Sequence, residues 1–191
     1  YCFLETMGGG YGGRFDSDGP DAVQVHGQNT ENAPIEETEM NYPVRIVRYE
    51  LVENSEGAGK YRGGLGLRRD YEFLGSETSF TILADRDRWG PKGLFQGKDG
   101  RKALYILERG GQVEELGSKV TVQLKPGEVI SYRTCGGGGF GPPTERDPEL
   151  VLKDAREGKV SVERAREIYR VVVDAESWTV DKAGTAKLRN R

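Results

Sequence analysis

Thr134-Cys135-Gly136-Gly137-Gly138-Gly139-Phe140-Gly141-Pro142-Pro143 separates a strand-rich part of the chain from a helix-rich part. Four consecutive glycines bring no side chain to a core, and each loses more backbone entropy on ordering than any other residue. A fold keeps such a run where backbone needs positive φ, or where another backbone or a ligand comes too close for a Cβ. A flexible hinge is the competing reading, but flexible linkers are Gly/Ser-rich and polar on both sides. This run follows the strand-like Glu128-Val129-Ile130-Ser131-Tyr132-Arg133 and is punctuated by Phe140. The pattern favours a packed glycine turn and makes Gly137, Gly138 and Gly139 candidates for substrate binding through bare backbone.

Upstream, β-branched and alternating stretches predict strands over 43–52, 65–74, 78–84, 102–107, 120–124 and 129–133. Turn residues sit at Arg109-Gly110-Gly111, and Lys125-Pro126-Gly127-Glu128 reads as a hairpin tip. Downstream, Asp147 before Pro148 caps a short helix that ends near Gly158. Ser161 caps a second helix, 170–174 reads as a short strand, and 181–189 as a charged terminal helix. The expected class is α+β: a mainly antiparallel β body, sandwich or barrel-like, with a short helical C-terminal tail. The expected division is a glycine-rich strand and loop segment over 1–41, a β domain over 42–141, and a tail over 142–191. Such a tail is too small to bury a core alone and must pack on the β domain or a partner.

The first glycine cluster, Gly8-Gly9-Gly10-Tyr11-Gly12-Gly13-Arg14, opens no helix and is followed by no Gly-Lys-Ser/Thr. It therefore fails both the dinucleotide fingerprint and the P-loop. The stretch before it, Tyr-Cys-Phe-Leu-Glu-Thr-Met, reads as a buried strand, and without a leading Met it suggests a chain continuing from a part elsewhere. Composition narrows the class further. The 191 residues are 35% hydrophobic and 31% charged, with net charge −3, which gives no basic field for nucleic acid. No apolar run nears the length of a membrane span, and Cys2 and Cys135 have no metal-ligand or disulfide spacing. A soluble, cytoplasmic protein is expected. Glycine, at 28 residues, is about twice its usual share without low complexity.

Two segments carry chemistry. His26, the one histidine, precedes Gly27-Gln28-Asn29-Thr30-Glu31-Asn32. Amides beside an imidazole line polar pockets, and they equally cap turns by bonding nearby backbone. The site reading takes His26, Asn29 and Asn32 as catalytic candidates. One histidine makes a metal site from this chain alone improbable, so no metal ligand is assigned. The second segment, Asp85-Arg86-Asp87-Arg88-Trp89-Gly90-Pro91, reads as a self-compensating surface or as a strand end where sites are built.

Several stretches together resemble one family. They are Leu4-Glu5-Thr6-Met7-Gly8-Gly9-Gly10, then Val25 through Glu36, Tyr42 through Leu51, Gly57 through Gly66, Gly136 through Pro143, and Glu145 through Glu149. In this order they resemble the B-type subunit of the hydantoinase/5-oxoprolinase proteins, whose relatives include ATP-dependent ketone carboxylases. The resemblance covers nearly all of the chain. It implies the C-terminal portion of a subunit of an ATP-dependent cyclic-amide hydrolase, inactive alone. Its implied partners are an A-type, ATP-handling subunit and the N-terminal part of the B-type chain, in a hetero-oligomer. ATP and a divalent metal are expected in the full complex, with no cofactor bound by this chain alone. The alternatives are a ketone carboxylase subunit and a non-catalytic assembly module. No nucleic acid and no membrane is expected as partner.

Overall fold

In the computed structural model, which describes residues 2–24 and 27–190, the alternating segments form antiparallel sheets. Strands β1 (Val44–Leu51), β2 (Leu67–Phe73), β4 (Leu104–Arg109), β5 (Gln112–Leu116) and β7 (Val129–Arg133) make one sheet in the order β1-β2-β7-β4-β5. Strand β3 (Thr78–Leu83) pairs with β6 (Lys119–Leu124) in a second. Tyr71 and Phe73 of β2, Tyr105 and Leu107 of β4 and Ile130 of β7 meet Ile82 of β3 and Leu124 of β6 in one buried cluster. The α+β, sandwich-like expectation holds, whereas the barrel alternative fails because the strands do not close on themselves. Among the described residues no helix is long and apolar enough to cross a membrane.

The turn at Lys125–Glu128 forms as expected: Gly127 lies at φ 82° and the Glu128 N–H donates to the Lys125 carbonyl at 3.2 Å. It is not a hairpin tip, however, because β6 pairs with β3 while β7 lies between β2 and β4. The burial explains why: Ile130 and Ser131 are both fully buried, which suits a central strand, while β6 alternates exposed and covered residues. Three further expectations are corrected. β5 was unforeseen because Gln112-Val113-Glu114-Glu115 is polar and exposed, as an outer strand tolerates. Helix α1 (Ile35–Asn41) occupies what reads as loop, since it starts without a side-chain cap. Residues 2–7 form no strand: Leu4 is 90% exposed, while Glu5 turns inward to Arg69 at 3.0 Å.

The tetraglycine is a packed element. Its hydrogen bonds repeat every three residues. The N–H groups of Gly136 and Gly139 donate to Arg101 and Lys98, those of Gly137 and Phe140 to Gly64 and Tyr61, and the carbonyls of Cys135 and Gly138 accept from Gly10 and Gly13. A period of three is that of the polyproline II helix, whose own backbone makes no internal hydrogen bonds. The run is thus ringed by other chain segments on several sides. A Cβ on Gly137 would lie 1.9 Å from the Tyr11 carbonyl oxygen.

The tail, α2 (Pro148–Arg156), α3 (Val162–Glu167), the β8 (Val173–Asp174) and β9 (Thr179–Val180) pair and α4 (Lys182–Arg189), gathers Val151, Leu152, Val160, Ala165, Tyr169 and Val171 around Ala58 of the glycine-rich loop. Charges complete the attachment. Asp18, Arg146, Asp154, Arg62, Asp21 and Lys159 form one chain of ion pairs, with contacts of 2.6, 2.8, 3.0, 2.8 and 3.2 Å in that order. Burial pushes the Asp21 carboxyl up, but hydrogen bonds from Arg62 and the Leu65 N–H, together with the charges of Arg62 and Lys159, hold it below the usual carboxylate range. Glu56 is held by Arg164 at 2.7 Å and by the Tyr169 hydroxyl, yet burial raises its carboxyl above the ordinary value.

Gly137→Ala is expected to cost about 3 kcal/mol or more by overpacking against backbone. Gly12→Ala, whose Cβ meets nothing nearer than 3.7 Å, should stay within about 1 kcal/mol of wild type in the same melting experiment. Asp154→Asn removes the partner of two buried guanidinium groups and should cost about 3 kcal/mol, with faster proteolysis of residues 148–190 as the local readout. Because the Asp21 carboxyl is depressed in the folded protein, its contribution is present above about pH 4 and is lost as pH falls through the folded value. The stability gap between wild type and Asp21→Asn, measured by denaturant melts, should therefore close toward low pH.

Candidate functional site

Residues 22–24 and 28–32 contribute to two clefts that share Gln24. One, of about 510 Å³, lies between Glu5, Thr6, Met7 and Gln28 on one side and Arg86, Tyr105, Tyr132 and Cys135 on the other. The other, of about 500 Å³, is lined by Gly8, Ala22, Asn29, Thr30, Glu31, Asn32 and Tyr49. A third, of about 640 Å³, joins the first through Asp85 and Arg86 and is closed by Asp87, Arg88, Trp89 and the 117–119 turn. Backbone pairing of Val23 with Gly9 and of Ala22 with Leu65 anchors the start of this stretch, and side-chain amides hold it further. The Gln24 and Asn32 amides both donate to the Thr6 carbonyl, at 3.0 and 3.1 Å.

The candidates from sequence fall as follows. His26 lies outside the described residues. Asn29 is exposed and lines the second cleft, and Asn32 lines the same cleft half-buried. The Asn32 side chain is engaged on both ends, since its oxygen also accepts from the Tyr49 hydroxyl at 3.2 Å. Gly137, Gly138 and Gly139 are buried in the bundle, and the places of their missing Cβ atoms are taken by the backbone of Tyr11, Lys92 and Ala58. The glycine run meets a cleft at its upstream end, through Thr134 and Cys135.

Several groups around the first cleft are held neutral or paired. Tyr71 donates a short hydrogen bond to Glu5, and burial, followed by the Glu5 charge, pushes its phenol far up. Tyr105 and Tyr132 pack with tilted rings, centroids 4.6 Å apart; burial, followed by the charge of and hydrogen bond with Tyr132, raises the Tyr105 phenol, whose hydroxyl donates to the Asp85 carbonyl at 3.4 Å. Burial also raises the Cys135 thiol, outweighing the pull of Arg86. Neutral phenols and amides are hydrogen-bond donors to a substrate oxygen; they are not nucleophiles. Tyr105 and Tyr132 escape sequence reasoning because they read as inward positions of β4 and β7. Among the described residues no group of three or more His, Cys, Asp or Glu is placed to hold a metal ion. In the Asp85 to Pro91 run, exposed Asp85 pairs with Lys119 of β6 at 2.8 Å, and Ser118, with the charge of Arg88, lowers the Asp87 carboxyl.

Residues 1–143 match the family described as hydantoinase B/oxoprolinase. An uncharacterized protein of Methanocaldococcus jannaschii is 42% identical over 191 residues, 99% of this chain and 34% of that protein. The caprolactamase subunit beta of Pseudomonas jessenii is 34% identical over 158 residues, 79% of this chain and 27% of that subunit. The crystal structure of the ATP-dependent caprolactamase from Pseudomonas jessenii superposes with a TM-score of 0.81 at 29% identity, covering 96% of this chain and 33% of that one. The chain spans about a third of the length of the curated relatives it matches first. By its fold and its matched residues, the chain belongs to the hydantoinase B/oxoprolinase family.

Proposed function

We propose that this chain is the C-terminal portion of the B-type subunit of an ATP-dependent cyclic-amide hydrolase, and that it supplies one wall of the site where the activated ring is opened. The observation that carries the reading is the superposition on the ATP-dependent caprolactamase over nearly the whole chain. Supporting it, the clefts beside residues 22–24 and 28–32 present amide and phenol groups among the described residues. The relative named as a beta subunit favours a heteromer.

In this reading the ATP-handling step belongs to an A-type subunit, and the N-terminal part of the B-type chain completes the site and holds any divalent metal. Water cleaves the ring C–N bond and leaves an amine and a carboxylate. Asn29 donates to the carbonyl or phosphorylated oxygen, and preorganised donors of this kind are typically worth a hundredfold or more in rate. His26 accepts a proton at the same wall. Asn32 positions the wall, and Gly137, Gly138 and Gly139 support it by fixing the segments behind it. The division into 1–41, 42–141 and 142–191, and a cytoplasmic location, go with this proposal.

In the full assembly, Asn29→Ala should lower turnover of a cyclic amide about a hundredfold without moving Tm. Asn32→Ala should lower Tm, because three hydrogen bonds are lost. Turnover per folded assembly of Asn29→Ala and His26→Ala near wild type would remove both from the site. The purified chain alone should hydrolyse neither hydantoin nor 5-oxoproline with ATP; activity without a companion polypeptide would show the subunit reading wrong.

A further inference from the structure

We propose that Arg86 is an oxyanion-binding residue, presenting its guanidinium to a carboxylate or phosphate group in the space joining the first and third clefts. The proposal deepens the function above and rests on it for the source of the anion: ring opening yields a carboxylate, and ATP use yields phosphate.

Three observations converge on this residue. Arg86 lines both clefts and is exposed to them. Its backbone sits at φ 68°, a region that side-chain-bearing residues other than Asn and Asp rarely take. That conformation is held from both sides. The Ala84 N–H donates to the Ser118 carbonyl at 2.8 Å, and the Arg86 carbonyl accepts from the buried Ala103 N–H at 2.8 Å. Strain of this kind persists where surrounding structure over-determines it, and it clusters at binding sites.

The charge balance leaves the guanidinium available. Of the acidic residues lining these clefts, Glu5 is engaged by Arg69 and Tyr71, Asp85 by Lys119, and Asp87 by Ser118. Arg86 makes no ion pair or hydrogen bond through its side chain among the described residues. Cys135, which feels the charge of Arg86 in the first cleft, is a thiol whose ionisation burial disfavours. An arginine fork matches carboxylate and phosphate bidentately, with two parallel N–H donors. Tyr132, in the same wall, brings a phenol beside it.

The test is calorimetric titration of the full assembly with sodium phosphate and, separately, with 6-aminohexanoate, an open-chain ω-aminocarboxylate. Arg86→Asn keeps a residue that tolerates the left-handed backbone, so it removes the fork with little structural change. It should weaken binding about tenfold or more, with Arg86→Lys intermediate and Tm unchanged in both. If Arg86→Asn does not fold, Arg86→Gly gives the same comparison, since glycine adopts this φ freely. Loss confined to phosphate assigns the site to the nucleotide-derived anion; loss confined to 6-aminohexanoate assigns it to the ring-opened product. Wild-type protein that binds neither probe, or an Asn or Gly variant that binds both as tightly as wild type, overturns the proposal. These affinities are read without turnover. An assembly that binds the anions and hydrolyses no cyclic amide would overturn the function and leave the Arg86 assignment intact.

Discussion

A strand in a β-sheet has hydrogen-bonding neighbours on two sides only, whereas the tetraglycine has them on more. Its period of three turns successive peptide groups about the segment axis, so residues 9–13, 57–64 and 92–101 each find donors or acceptors on a different side of it. Such packing is possible only if the positions facing those neighbours carry no Cβ. That is why glycines recur in the surrounding segments as well as in the run. Gly10 and Gly63 lack the same room, with Cβ positions 1.9 Å from Gly64 oxygen and 2.0 Å from Gly137 oxygen. Segments far apart in sequence are thereby tied through backbone alone. The high glycine content is a packing requirement of this bundle.

A body built of bare backbone offers little apolar surface for docking. This accounts for how the tail is attached. Among the described residues, Ala58 is the one member of the tail's apolar cluster that comes from outside the tail. The remaining attachment is electrostatic, through Arg62 and Arg146 reaching between Asp18, Asp21 and Asp154. Buried ion pairs of this kind contribute little net stability over an apolar contact, but losing one partner is severe because it strands a charge. The tail is thus held by a set of contacts that act together.

Legibility followed the periodicity of side chains. The strands of the β body and the capped helices of the tail were readable because alternation and capping residues are local signals: Asp147 and Ser161 accept from the backbone of Glu149 and Arg164 as their positions suggest. What was not readable depends on partners distant in sequence. Nothing in Lys125-Pro126-Gly127-Glu128 tells that the turn joins two sheets rather than two paired strands. Glu5 breaks the apolar reading of residues 2–7, because its inward partner is Arg69. At the site, the alternation that placed Tyr105 and Tyr132 inside concealed that their hydroxyls meet a cleft. Asn29 and Asn32 look alike in sequence, and only their neighbours separate a free amide from one bound at both ends.

The clefts themselves follow from how residues 22–32 are secured. Were this segment held by apolar side chains, those chains would fill the space between it and the β4–β7 face, and no cleft would remain. It is held instead by backbone pairing of Val23 with Gly9 and of Ala22 with Leu65, and by the Gln24 and Asn32 amides reaching one carbonyl, that of Thr6. Two side chains on a single acceptor fix the segment's position while leaving the space on either flank to solvent or substrate. On the far side β3 must leave its sheet and reach the loop after Asp85 within a few residues, and the left-handed turn at Arg86 is where that reversal is made. The side chain at that position is directed by the backbone that has to turn there. A residue at this point therefore lines the open clefts, and arginine there, with Arg88 beside it, brings cationic charge to them.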